Sequence, residues 1–427
     1  MLHLPNSGPR RLPALLLTLG LAVAASTAWA AAPPQQQDVQ SQLDELRAAQ
    51  VRIAEQQREI EAAIQRLQAQ LAAQAGPAAP AVAPVAATAE PQRLAIGGDV
   101  RLRGQGEYSN PAAPARNSMQ VRARLGGSFA VTDRITLGAR LVTGDPDDPN
   151  SSDVQLSNFD DDFQISLDQA YLQLNFDDLK VYGGKLPQPF VRTNLVWDED
   201  VSPQGIAAVY RSRLANGSAL RAGGMFFMLD EQAAGRDSTM LGVQLGYDFA
   251  PLALWKAGVN AAYYDYGMHS VAGGDAGDFR NNRRGADGSY LSDFDLVDVI
   301  ADVTWSGFGA RWPLRLVGDY VQNLGAPDGA DTGYGLDLMV GRLARKGDWR
   351  LGIGYSTAQT DAVLAAFSHD STPLGTNYRL QSLTLDYRLA ERATLNAFWY
   401  HYRNRDTSAG LTGDWMDRLR LALTVDF

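Results

Sequence analysis

The chain has 427 residues, no cysteine and a formal net charge of −10, with 45% apolar and 20% charged residues. A cysteine-free chain is not a disulfide scaffold, and its acidity argues against nucleic acid as a partner. After residue 30 no run of about 18 apolar residues occurs, which excludes a membrane-spanning helix there but leaves open a barrel, whose apolar residues alternate with polar ones.

Residues 1–30 read as a signal peptide. Arg10 and Arg11 form a basic region, Leu12 to Ala25 an apolar run, and Ala28-Trp29-Ala30 a small-residue cleavage site. An N-terminal anchor helix is the alternative, but the run is short and no stop-transfer flank follows. Cleavage removes Arg10 and Arg11 and takes the net charge from −10 to −12.

Residues 31–74 predict a short α-helical coiled coil. Val39, Leu46, Ile53, Ile60 and Leu67 recur every seven residues, interleaved with Leu43, Gln50, Gln57, Ile64 and Leu71. Alternating spacings of four and three over five heptads make the seam of a self-associating helix, in which Gln50 and Gln57 weaken the core while setting register. A lone amphipathic helix lying on another surface is the competing reading. Residues 75–93, with "AGPAAPAVAPVAATAEP", predict an Ala/Pro linker that separates this segment from the rest.

From Leu94 to Phe427 the period falls to two. Leu94, Ile96, Val100 and Leu102 lie on one side of the first segment, with Asp99, Arg101 and Arg103 on the other. "DRLRLALTVDF" at the C-terminus sets Leu419, Leu421, Leu423, Val425 and Phe427 against Arg418, Arg420, Ala422, Thr424 and Asp426. Such alternation marks strands between an apolar and a polar medium. Sixteen segments follow this rule, joined alternately by short turns and longer loops. Phe129, Phe176, Phe249, Trp255, Trp305, Trp312, Trp349 and Phe427 fall beside the short turns; Tyr108, Tyr263, Tyr320, Tyr355, Tyr378 and Tyr400 fall at the opposite ends. The expected fold of residues 94–427 is all-β, a 16-stranded antiparallel transmembrane barrel in an outer membrane, closed by pairing of its first and last strands. A soluble sandwich or propeller is disfavoured, since no blade repeat is visible.

Sixteen strands enclose a channel too wide for side chains to fill. Arg101, Arg103, Arg122, Arg124, Arg140, Arg418 and Arg420 are expected on its inner face, on strands that become neighbours on closure, as one basic wall. Seven unrelated positions, each neutralised by a nearby aspartate, are the alternative. The third long connection, "KLPQPFVRTNLVWDEDVSPQG" (185–205), carries Phe190, Leu195, Val196 and Trp197, which an exposed loop does not need, beside Asp198, Glu199 and Asp200. Folded into the lumen, these carboxylates would face the basic wall and set up a transverse field at a constriction. An ordinary exposed loop with an acidic tip is the competing reading.

The segment "GGKLPQPFVRTNLVWDEDVSPQGIAAVY" and the sixteen-strand pattern resemble the putative porin family of Gram-negative bacteria, and are similar to the trimeric general porins over about residues 94–427. The general porins' proline-glutamate-phenylalanine-glycine-glycine stretch is missing, so this resemblance does not assign the constriction residues. It implies a passive diffusion channel for small hydrophilic solutes and ions, assembled as a homotrimer with the coiled coil as a periplasmic stalk. Outer-membrane lipid and lipopolysaccharide would surround it. Phe427 resembles the C-terminal signal read by the barrel-assembly machinery.

Other classes find less support. His269, His369 and His401 are the histidines left after cleavage, and none belongs to a visible nucleophile–base–orienter set, so no catalytic residue and no cofactor is expected. The second loop holds seven aspartates without calcium-loop spacing, so no metal site is assigned and solvated acid is the reading, with a weak divalent-cation contact as the alternative. A channel selective for phosphate or another anion, and a tether from membrane to cell wall through the coiled coil, remain as rivals. The net charge and acidic loops predict weak cation preference.

Overall fold

The computed structural model describes residues 93–157 and 162–427. The expected signal peptide, coiled coil with its core Val39, Leu43, Leu46, Ile53, Ile60, Ile64, Leu67 and Leu71, and most of the linker lie outside the described residues.

Alternation over the described chain produces seventeen strands: β1 (Leu94–Tyr108), β2 (Arg116–Ala130), β3 (Ile135–Thr143), β4 (Val154–Gln155), β5 (Ile165–Phe176), β6 (Leu179–Lys185), β7 (Gln204–Arg213), β8 (Ala219–Asp230), β9 (Ser238–Asp248), β10 (Trp255–Gly267), β11 (Phe294–Trp305), β12 (Leu314–Asn323), β13 (Thr332–Gly341), β14 (Trp349–Ala358), β15 (Tyr378–Ala390), β16 (Ala393–Asn404) and β17 (Met416–Asp426). All pairings are antiparallel, and all strands but β4 close into one barrel of sixteen. β4 is a two-residue strand of the second loop that extends the pairing of β2 beyond the end of β3. It was not expected, because two residues carry no periodicity.

Closure runs along β1 and β17, in register from Asp99↔Asp426 to Tyr108↔Asp417. The last residue takes part: Phe427 N donates to Gly98 O at 3.0 Å and Phe427 O accepts from Gly98 N at 3.2 Å. Among the described residues this pairing leaves the sixteen barrel strands without a first or last edge.

The outer face is apolar. Ile96, Ile206, Leu245 and Leu421 are 61–68% exposed, amid a continuous set of exposed leucines and valines on every side of the cylinder. Patches of that extent do not occur on soluble monomers and require a hydrocarbon surround. At the turn end the belt is rimmed by Trp255 and Trp305 (ring centroids 6.0 Å apart) and by Trp349 and Tyr387 (4.4 Å). At the loop end Tyr263, Tyr320, Tyr334 and Tyr355 are exposed. Amphipathic rings at both interfaces match a membrane slab.

Buried apolar residues sit inside the cylinder, where Met225, Phe227, Met240, Tyr264, Tyr266, Phe294, Leu296 and Val321 point inward from β8–β12. A water-filled tube would not tolerate them uncovered. Two loops cover them: L3 (residues 186–203) and L7 (359–377).

Candidate pore constriction

L3 enters the lumen through paired glycines. Gly184 on β6 and Gly205 on β7 lie opposite each other, with φ of 118° and 152°. A Cβ on either would come within 2.3 Å or less of a neighbouring strand's carbonyl oxygen. Only glycine adopts this backbone at that distance, and the bend there turns the chain inward.

Inside, L3 is held at successive points. The Phe190 ring occupies a socket left by Gly223 and Gly242, where a Cβ would meet it at 2.7 and 3.1 Å. Gln244 then clamps Val191, its amide oxygen accepting from Val191 N (2.8 Å) and its amide nitrogen donating to Val191 O (2.7 Å). The Thr193 hydroxyl donates to Asp319. Trp197 is fully buried, stacked on Phe367 of L7 at 5.3 Å and 10°, with Tyr264 edge-on at 5.6 Å.

L7 contributes as much as L3. Its run Ala362–Phe367 is buried throughout. Asp198 N donates to Phe367 O (2.7 Å), His369 N to Asn194 O (3.1 Å), and Ser368 Oγ to Leu195 O (3.2 Å), so the loops bond as a short backbone ladder. Asn282 of L5 (268–293) secures L7 by donating to Thr360 O and Val363 O and accepting from Ala365 N. The sequence reading missed L7, although "AVLAAF" is the same kind of apolar run in a loop that marked L3.

The seven arginines lie on β1, β2, β3 and β17, which adjoin in the closed barrel. Each has a carboxylate within 4.0 Å. Asp99 bonds Arg122 (2.8 Å) and Arg124 (2.7 Å), Asp168 bonds Arg140, and Glu107 bonds Arg418 (2.7 Å). Asp168 reaches the lumen through a bulge in β5 opposite Arg140 and Leu141. Three partners come from loops. Asp153 of L2 (144–164) meets Arg101 and Arg103, both at 2.5 Å. Asp200 of L3 meets Arg124 at 3.2 Å and Arg122 at 3.9 Å. Asp370 of L7 meets Arg420 at 3.4 Å and Arg103 at 4.0 Å. Asp153, expected to be solvated, has a side chain only 1% exposed.

Asp198, Glu199 and Asp200 do not form the single row facing the wall across a gap that the sequence suggested. The backbone turns sharply after the buried Trp197, and the Asp198 carboxylate accepts from Asp200 N at 2.9 Å. Asp198 is therefore buried, Glu199 is exposed, and Asp200 touches the wall. Burial, with Asp370 close by, pushes the Asp198 carboxyl upward. For Asp370 burial acts in the same upward sense, but Arg420, Arg103, Arg101 and Arg280 outweigh it and hold its carboxyl low. Burial, reinforced by Arg280, lowers His369 to about 3, so its imidazole is neutral.

A lipid-facing sixteen-stranded barrel with a charged lumen and two loops folded into it defines an outer-membrane channel. The family model described as "Putative porin" matches residues 107–274 and 289–410, more than half of the chain, and the protein belongs to that family. No curated protein matches it. Among solved structures, OprB of Pseudomonas putida at high pH is similar in fold, with a TM-score of 0.54 and 13% identity over 78% of this chain and 94% of that one. OmpF of Salmonella typhi, in complex with daunomycin, gives 0.49 and 13% over 78% and 97%. An anion-selective porin from Comamonas acidovorans gives 0.47 and 14% over 78% and 99%. The chain is thus an outer-membrane porin.

Proposed function

We propose that the protein is a homotrimeric, passive diffusion channel for small hydrophilic solutes and ions, with its N-terminal coiled coil as a periplasmic stalk and its constriction set by L3 and L7 together against the arginine wall. The observation that carries this is the docking of Asp153, Asp200 and Asp370, from three different loops, onto arginines of one wall. Carboxylate partners on all seven arginines leave the acidic loops to set the field, which supports weak cation preference over anion selectivity. Five heptads ahead of the barrel support self-association.

Reconstitution of the purified protein in a planar bilayer tests this. The expected result is an ohmic conductance that does not saturate with salt and a reversal potential displaced toward the cation. Saturation and block by phosphate would instead establish a selective anion channel. Deletion of residues 31–91 is expected to abolish trimers on native electrophoresis while leaving conductance per barrel. Unchanged solute uptake with a sheared envelope would assign the segment to tethering.

A further inference from the structure

A cavity of about 350 Å³ opens at the loop end of the lumen, and charges of both signs line it. Arginines come from Arg103 on β1, Arg418 and Arg420 on β17, and Arg280 beside the short helix Ala276–Phe279 of L5. Carboxylates come from Asp145, Asp147 and Asp148 on L2, from Asp275 and Asp278 on L5 and from Asp370 on L7.

The arginine side is built. Arg103, Arg418 and Arg420 are 5–7% exposed, held by Gln120, Glu107 and Gln105 respectively, each at 2.7 Å. Arg280 donates to the carbonyls of His369 and Thr372, and among the described residues no carboxylate oxygen lies within 4.0 Å of it. Asp370 is the one loop carboxylate lining the cavity that pairs with these arginines. On the acidic side, among the described residues, no basic nitrogen comes within 4.0 Å of Asp145, Asp147, Asp148 or Asp278. Asp148 lines the cavity, and partial desolvation between the loops, opposed by the Asn150 amide and Arg280 and aided by Asp370 and Asp278, pushes it up to about 6; burial raises Asp278 too. Arg280 offsets part of this crowding without forming an ion pair with either carboxylate.

A net anion is repelled by one part of this lining and a net cation by the other. A solute bearing both charges is attracted by each. We infer that the cavity is a binding subsite for zwitterions of the amino-acid and short-peptide class, with the carboxylate toward Arg280, Arg418 and Arg420 and the ammonium toward Asp147, Asp148 and Asp278. Its volume lies within the range of small-molecule sites. The inference rests on the channel reading, since the solute arrives from the outer mouth and leaves through the pore.

Single-channel recording of the full chain in 0.1 M KCl at pH 7.5 tests it, with diglycine as zwitterion, N-acetylglycine as anion and glycinamide as cation. Diglycine is expected to interrupt the current at a concentration about tenfold below either control. Asp147→Asn with Asp278→Asn is expected to raise that concentration about fivefold and to lower the N-acetylglycine value, since two repelling carboxylates are gone. Equal block by all three solutes, or no response to the double substitution, overturns the inference while the KCl current still supports the channel. Absence of KCl current overturns both. Should the double variant fail to insert, titration calorimetry of the wild-type protein in detergent decides: heat from diglycine that N-acetylglycine and glycinamide do not produce supports the subsite, and equal heats overturn it.

Discussion

Truncating Trp197 to alanine isolates the L3–L7 contact from the barrel. The ring is fully buried, stacks on Phe367 at 5.3 Å, and has Tyr264, Phe227 and Tyr266 at 5.6, 6.3 and 6.4 Å. Removing a buried tryptophan typically costs about 3–5 kcal/mol. Every partner belongs to a lumen loop or to the inner face of β8 or β10, so the loss falls on loop docking and leaves the strand ladders intact. At roughly 1.4 kcal/mol per tenfold, the docked-to-undocked ratio of L3 falls by a factor of about 10² to several 10³. Amide exchange across residues 190–200 is expected to accelerate by at least about a hundredfold, and the unitary conductance to rise, because L3 no longer fills its part of the lumen. Trp197→Phe keeps a stacking ring and loses an indole nitrogen that has no hydrogen-bond partner, so it should behave close to wild type. If Trp197→Ala changes exchange by less than about threefold and leaves conductance alone, the two loops are not held by this contact and the reasoning fails.

Asp200→Asn frees Arg124 and Arg122 of one carboxylate, and the ratio of potassium to chloride permeability should fall by at least about twofold, read from the reversal potential in a salt gradient. His369 predicts an acid effect on L7. Undocked, the imidazole titrates near 6.5; docked, burial holds it neutral to about 3. The undocked state thus binds the extra proton, and this contribution to docking is lost as pH falls from about 6.5 to 3. Asp198, with a raised carboxyl, works in the opposite sense. The histidine part is read as the difference between wild type and His369→Gln in L7 amide exchange, which should grow from pH 7 to 4.5; a constant difference contradicts it. Deleting Phe427 removes two backbone hydrogen bonds to Gly98 at the β1–β17 seam. Folded, heat-modifiable barrel recovered from membranes should drop by at least about fivefold, whereas Phe427→Tyr should not differ from wild type; full recovery of the deletion would remove any role in closure or assembly.

The strands were legible because their signal is local. Lipid outside and water inside impose a period of two on each segment, and the sixteen segments expected from it correspond to the sixteen strands that close the barrel. Closure was legible from the first and last segments having the same polarity of faces. Parts of the constriction were also readable: Phe190 and Trp197 announce a loop that must bury apolar rings, and the arginines sit at alternating positions of contiguous strands.

Pairing of those charges was not legible. Arg420 reaches Asp370 of L7 and Gln105 of β1, the latter 315 residues away in the chain; Arg124 reaches Asp200, and Arg101 and Arg103 reach Asp153. No spacing rule links such positions, because each loop's path depends on what it packs against. Sequence by itself determined the cylinder, its apolar outside and its charged inside, since a strand needs only its own alternation to choose which face meets oil. Tertiary structure alone decided that L7 joins L3, that Asp198 turns away while Asp200 meets the arginines, and that the loop-end cavity gathers charges of both signs, because loops take their conformations from rings and guanidiniums brought close only when the barrel closes.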